Sequence, residues 1–541
     1  MDMSSASSSS SEGSLEVVNA ADCSSTWSNS NSVAHSDAKK TKWHRSPYTP
    51  DGTIGDPSWH VALMVKVSCA LMFIFGIISD WLRVRGYLKV KIANDDPRHK
   101  GFAPLDSHFE GIYINHIYRK SSDVVNRPIT SVPASVMRLK DRYTDDYGWT
   151  QKYTGTETDV INMGSYNYLG FSHNDGPCAE EAMRFIDKYG VHIGGTRHER
   201  GNHIVHAQIE KCVARYLGVD AAIVFPMGFS TNSMNIPSLV DKGSLILSDK
   251  LNHASLVLGC RVSGATIKTF RHNDAKDCEK KLRNALCEVS PKTGKPYNKV
   301  LIVIEGIYSM EGTIVDLPEF IRVKKKYGAY IFLDEAHSVG ALGPTGKGVV
   351  EYWGCNPKDV DVLMGTLTKS FAASGGYIGG TRALIDHIRY GSAGPCYGSA
   401  MSPPIAAQVM SSMKIMLGED GTDIGARKAV QLLRNSRYFR RRLKQMGFLI
   451  YGHEDSPVVP LMTFHITKVV EFSRSTLACD IGLVAVGFPA TPVTKARVRF
   501  CLSADHTKEQ LDYVLDVVDR VGDRTNIKYG EKVDKGKVIE Y

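Results

Sequence analysis

Residues 299–340 read "KVLIVIEGIYSMEGTIVDLPEFIRVKKKYGAYIFLDEAHSVG". Two short apolar runs, 299–306 and 329–336, enclose a helical segment that closes on Lys324 to Lys326. Positive charge there suits the carbonyl end of a helix dipole. A strand, a helix and a second strand in that order predict a crossover between parallel neighbours. The pattern extends in both directions. Apolar runs recur at 221–225, 244–249, 266–274 and 361–369, and polar helical segments separate most of them. The expected body is α/β, a mostly parallel sheet wrapped by helices, which takes ligands beyond the carboxyl ends of its strands. This large domain is set at 151–415, followed by a smaller α+β domain at 416–521 and a tail at 522–541.

Residues 1–56 are rich in Ser and Asn and poor in aliphatics. Such a segment buries too little surface to offset its ordering entropy, so a disordered tail is expected. Residues 57–88 contain "WHVALMVKVSCALMFIFGIISDWLRV", bracketed by Trp59 and Trp81 and followed by Arg85, Lys89 and Lys91. Interfacial aromatics and a basic flank predict a membrane-associated helix. Lys66 shortens the uninterrupted apolar core, which leaves both a bilayer-crossing and an interfacial helix open. Residues 89–150 are polar with scattered aromatics and are expected to form an arm or linker with helical pieces. The net charge of +9 is spread over 541 residues and demands no nucleic-acid groove. Eleven cysteines without a C-x-x-C pair point to reduced thiols facing the cytosol, with neither a disulfide framework nor a metal site.

The tetrapeptide Asp-Glu-Ala-His at 334–337 marks RNA helicases elsewhere, where it works with a phosphate loop, G-x-x-x-x-G-K-[ST]. The nearest candidate here, "ALGPTGKGVV" at 341–350, has Ala341 for the first glycine and Gly348 for the hydroxyl residue. It also lies downstream of the acidic element. Nucleotide hydrolysis is therefore disfavoured.

Three successive strand ends carry chemically capable groups instead: Glu305, Ser309 and Glu311, then Asp334 and His337, then Thr366, Thr368, Lys369 and Ser370. Lys369 follows a buried run, sits among small hydroxyl residues and leads into "GGYIGG" at 375–380. A lysine so placed is desolvated, and its amine becomes nucleophilic toward a carbonyl. Pyridoxal phosphate needs a Schiff-base lysine and an acid facing its pyridine nitrogen. Lys369 and Asp334 suit those roles, and His337 lies within reach of the phenolic oxygen. The backbone of Gly228 and Phe229, where Ser230 and Thr231 open a helix, suits a phosphate together with Thr366. His253 in "SDKLNHASLVLG" is positioned to stack on the ring.

With these residues in view, the chain resembles the α-oxoamine synthases, pyridoxal phosphate enzymes of fold type I. The resemblance rests on "SDKLNHASLVLGCRVSGATIKTFRHND", "VIEGIYSMEGTIVDLPE", "LDEAHSVGALGPTGKGVVE" and "GTLTKSFAASGGYIGG", in the family's order, and runs from about 110 to 521. "NMGSYNYLGF", "PMGFSTNSMNIPSLV" and "YGSAMSPP" are similar to the catalytic subunit of its membrane-bound branch. That branch condenses L-serine with palmitoyl-CoA or a similar acyl-CoA to 3-ketosphinganine, the first step of sphingolipid biosynthesis. The resemblance implies Lys369, Asp334, His337 and His253 as the catalytic set, with Gly228, Phe229 and Thr366 as the phosphate cradle. It implies Arg499, with Arg497 as the alternative, for the substrate carboxylate, and Tyr168 and Asn167 on the substrate side. It further implies a homologous lysine-free partner subunit, small regulatory membrane subunits, and the endoplasmic reticulum membrane with the catalytic body toward the cytosol. Ser399, Met401 and Ser402 are the expected cross-interface loop. Gly194–Gly195 and Ala372 depart from the family pattern. A different amino acid substrate, or a non-catalytic subunit, are the competing expectations.

Overall fold

The apolar runs fold as short strands in a computed structural model that describes residues 43–46, 55, 57–88, 98, 101–103, 108–146, 148–530, 536 and 538–541. In chain order they are β1 (Val136–Tyr143), β2 (Lys152–Asn162), β3 (Ala221–Phe225), β4 (Leu245–Asp249), β5 (Thr266–Phe270), β6 (Val300–Glu305), β7 (Tyr330–Asp334), β8 (Val362–Thr366) and β9 (Gly376–Gly380). The smaller domain adds β10 (Val458–Phe464), β11 (Ile481–Gly482), β12 (Val484–Val486) and β13 (Ala496–Cys501).

Seven strands form the central sheet in the order β3-β9-β8-β7-β6-β4-β5. The run β8-β7-β6-β4-β5 is parallel, and β9 is antiparallel to both its neighbours. Helices cover both faces, so β3, β4, β6 and β8 are buried along their whole length. That explains their continuous apolar reading. Register places Glu305 opposite Asp334 at the carboxyl end of the sheet.

The stretch "GGYIGG", which is not among the apolar runs read as strands, supplies β9. Its glycines let layers approach: a Cβ on Gly376 would lie 2.6 Å from Thr231 Oγ1, and one on Gly379 2.8 Å from Leu217. The boundary between arm and large domain is corrected. Strands β1 and β2 form a hairpin, and β2 pairs in parallel with β11 of the C-terminal part. Met137 and Leu139 point inward between Arg138 and Lys140, the alternation of a half-buried strand. Residues 136–162 therefore belong structurally with the smaller domain, whose other sheet is the antiparallel β10-β13-β12.

The disordered tail expected at 1–56 lies outside the described residues except for 43–46 and 55. Residues 43–46 dock. Ser46 donates its N–H and its hydroxyl to Asp455 at 2.8 and 2.7 Å, and Arg45 lies over Trp353 at 4.4 Å. The predicted membrane helix spans Trp59–Val84 and is long and apolar enough to cross a bilayer. One face, through Val65, packs on Tyr451, Met462 and Phe464, whereas Leu63, Leu71, Ile74 and Phe75 are exposed. The last helix spans Lys508–Arg524 and is capped by Thr507, whose hydroxyl accepts from the Gln510 N–H. Of the ten described cysteines nine are free thiols, and Cys479 is disulfide-bonded, which corrects the expectation of reduced thiols throughout.

Candidate active site

A cavity of about 290 Å³ opens at the carboxyl ends of β6, β7 and β8. Its wall contains Lys369, Asp334, His337, His253, Thr366 and the Gly228–Phe229 backbone region. Seven residues named from sequence for one ligand thus meet around one space. Topology brings them together: β6, β7 and β8 are adjacent, so the polar residues that end them are neighbours.

Lys369 follows β8 and is half-buried in the cavity wall. Burial pulls its amine down to about 8, against the opposing pull of Asp334 and Glu305. Its Nζ lies 5.5 Å from the centre of the Tyr166 ring. Asp334 ends β7 with both oxygens held: Oδ2 accepts from Asn232 Nδ2 at 2.7 Å and Oδ1 from the Ala336 N–H at 2.8 Å. His337 is kept neutral by burial, reinforced by the positive Lys369 and Arg499. His253 caps the helix Ala254–Val262 at the cavity mouth, with the Phe229 ring edge-on at 6.0 Å. Burial lowers its pKa, which Asp334 opposes. Its backbone N–H donates to the Glu305 carboxyl group.

Gly228 opens the short helix Gly228–Ser233 directly beside Thr366. A Cβ there would lie 2.7 Å from Thr366 Oγ1, so only glycine keeps this cradle clear. A cradle of this kind, a desolvated amine of lowered pKa and a held carboxylate in the same cavity together fit pyridoxal phosphate.

The two arginines of β13 separate clearly. Arg497 donates to Met310 O at 2.6 Å and lies 3.3 Å from Glu311 Oε1, so its charge is already met. Arg499 is buried with its Nε unpartnered, and its guanidinium rests 4.6 Å over Tyr166. It is the arginine available to a carboxylate.

The three residues expected on the substrate side, Arg499, Tyr168 and Asn167, are not among those that line the cavity. Tyr168 is fully buried behind it, its hydroxyl 2.8 Å from His337 Nδ1, and so orients that ring. Asn167 Nδ2 donates to Ser172 Oγ at 2.6 Å and ties its own loop together. The residue between Lys369 and Arg499 is Tyr166, from the same "GSYNYLG" element. Asn232, Ser255 and Glu305 also line the cavity without having been assigned a role. Of the expected cross-interface loop, Met401 is buried in its own chain and Ser402 Oγ donates to Val191 O, whereas Ser399 is exposed.

The profile of the family aminotransferase class I and II matches residues 158–518. A solved serine palmitoyltransferase from S. paucimobilis, with PLP and myriocin bound, shares 27% identity at a TM-score of 0.67, covering 79% of this chain and all of that one. The 8-amino-7-oxononanoate synthase of Francisella tularensis, at 21% identity and a TM-score of 0.55 over 68% of this chain and 99% of that one, shares the fold. Fold and site define a pyridoxal-phosphate-dependent transferase of fold type I. Among curated proteins, serine palmitoyltransferase 3 of Caenorhabditis elegans is 65% identical over 88% of this chain and 93% of its own length. Serine palmitoyltransferase 3 of Homo sapiens is 50% identical over 87% of this chain and 85% of its own length. The chain belongs to the serine palmitoyltransferase family, enzymes of sphingolipid biosynthesis.

Proposed function

We propose that this chain is the catalytic subunit of a serine palmitoyltransferase, joining L-serine to palmitoyl-CoA with loss of CoA and CO₂ to give 3-ketosphinganine. The observation that carries this reading is that Lys369 and Asp334 line one cavity, with Arg499, its Nε unpartnered and no carboxylate beside it among the described residues, against the Tyr166 ring that Lys369 also approaches. When bound, pyridoxal phosphate supplies an electron sink for negative charge at the amino acid Cα. Asp334 is the anion at the pyridine nitrogen, and the Gly228–Phe229 backbone with Thr366 meets the phosphate. Lys369, with a pKa near 8, binds the cofactor and moves the proton at Cα in both directions. Arg499 pairs with the serine carboxylate until CO₂ leaves. His253 covers one ring face, and His337, steadied by Tyr168, meets the phenolic oxygen.

The partner in this reading is a homologous, lysine-free subunit. Met227 and Phe229 line the cavity and are exposed, which supports a subunit covering it. The helix Trp59–Val84 supports anchoring in the endoplasmic reticulum membrane, catalytic body toward the cytosol, where small membrane subunits have access. Acyl-CoA and product are both amphiphiles, so a bilayer beside the site suits them.

Co-expression with a candidate partner, followed by mass spectrometry of products, tests the reading. Serine with palmitoyl-CoA gives 3-ketosphinganine, Lys369→Ala gives none, and borohydride leaves a pyridoxyl adduct on Lys369. Turnover with glycine or alanine but not serine would assign another amino acid. Absence of the adduct would leave a non-catalytic subunit.

A further inference from the structure

Asn232 lies in the second half of the short helix Gly228–Ser233 and is buried, 1% exposed. Its Nδ2 carries two hydrogens, and both are committed. One goes to Asp334 Oδ2 at 2.7 Å and the other to Ser255 Oγ at 3.0 Å. The amide orientation is fixed, because exchanging its ends would set Oδ1 against a carboxylate. An amide nitrogen only donates, so Ser255 Oγ is the acceptor in that contact. The serine hydrogen is then free for its remaining neighbour, His253 Nδ1, at 2.8 Å. The Ser255 backbone N–H also points to Nδ1, at 3.3 Å. A ring nitrogen approached by two donors is the acceptor, and in the neutral imidazole the hydrogen then resides on Nε2.

We infer that Asn232 is a positioning residue that governs both ends of the cofactor site: it fixes the Asp334 carboxylate and, through Ser255, fixes His253 as its Nε2–H tautomer. The inference rests on the proposed cofactor roles of Asp334 and His253. One buried amide thus couples the group at the ring nitrogen to the group over the ring face. The sequence conceals this, since Asn232 reads as a small polar residue near a helix start and Ser255 as an ordinary first-turn residue.

The test uses the full-length protein in detergent, labelled with ¹⁵N-histidine, with the His253 signal assigned by comparison with His253→Gln. The wild type is expected to show the Nε2–H tautomer. Ser255→Ala deletes one oxygen and should introduce the Nδ1–H form, whereas Ser255→Thr keeps the hydroxyl and should restore the wild-type pattern. Asn232→Ala should do the same as Ser255→Ala and also weaken pyridoxal phosphate binding by about 10-fold or more, the loss of one charge-assisted hydrogen bond. The absorption maximum of the bound cofactor should shift with Asn232→Ala and stay in place with Ser255→Thr. An Nδ1–H tautomer in the wild type overturns the inference. So does an unchanged tautomer and affinity in Asn232→Ala and Ser255→Ala. If the wild type forms no adduct at Lys369, the cofactor reading fails, while the tautomer measurement still decides the hydrogen-bond relay.

Discussion

Lys369 combines a desolvated amine with a lowered pKa, and this has opposite consequences for stability and for reaction. In the folded protein the amine titrates near 8, against 10.5 for an ordinary lysine. Between those values the unfolded chain holds the extra proton. Stability rises with pH wherever the unfolded state binds more protons, so the penalty is complete below pH 8 and disappears above about 10.5. Cofactor-free Lys369→Met should therefore melt higher than the cofactor-free wild type at pH 7, and the gap should close between pH 8 and 10.5. Melting curves at four pH values check this, and a constant gap would count against the lowered pKa. That Lys369, Asp334 and His337 line one cavity was legible, because reactive side chains at successive strand ends are rare and their order was informative. Tyr166, Asn232 and Ser255 were not, because each acts through a neighbour that only the folded chain supplies. Tyr168 was placed one layer too close to substrate for the same reason. Ala372 shows how local rules still speak: its φ of +50° lies in the left-handed region, where glycine is at ease and alanine is strained.

Among the elements, the parallel strands were readable as continuous apolar runs, since both faces are covered. The glycine strand β9 was not, because its sequence has the composition of a loop and its burial comes from layers that close on it. The hairpin β1–β2 alternates as a half-buried strand should, yet its partner β11 lies more than 300 residues away in sequence, so its domain was not evident. The helix Trp59–Val84 carries the opposite ambiguity. One face docks on the smaller domain and the rest presents Leu71, Ile74 and Phe75 outward. An outward apolar face of that length partitions into lipid, and a charged residue near its centre costs about 2.5–3.5 kcal/mol. Leu71→Lys combined with Phe75→Lys should move the protein from the floating to the soluble fraction in vesicle flotation. Melting of the catalytic body should not change, because neither side chain packs on it. Continued flotation of the double variant would show that other surfaces hold the membrane.

At the scale of the whole molecule, the sheet order sets what the enzyme can be. Neighbouring parallel strands deliver Glu305, Asp334 and Thr366 to one edge, and β13 of the smaller domain sets Arg499 against the Tyr166 ring that Lys369 also approaches. That encloses the amino acid end of the site within one chain. The mouth is different. Met227 and Phe229 line the cavity and are exposed, and Leu258 and Val262, on the helix that His253 begins, are 43% and 63% exposed. An apolar surface beside a catalytic cavity stays soluble only when another surface covers it. The proposed homologous subunit is that cover, so pairing and catalysis should fail together. Leu258→Asp with Val262→Asp introduces two charges into the contact, each costing about 2–4 kcal/mol if it lies at the centre of the interface. Affinity purification of the variant should recover no partner, and 3-ketosphinganine formation should fall to background although the isolated chain keeps its wild-type circular dichroism. Recovery of the partner with unchanged product formation would place the subunit contact on another face of the sheet.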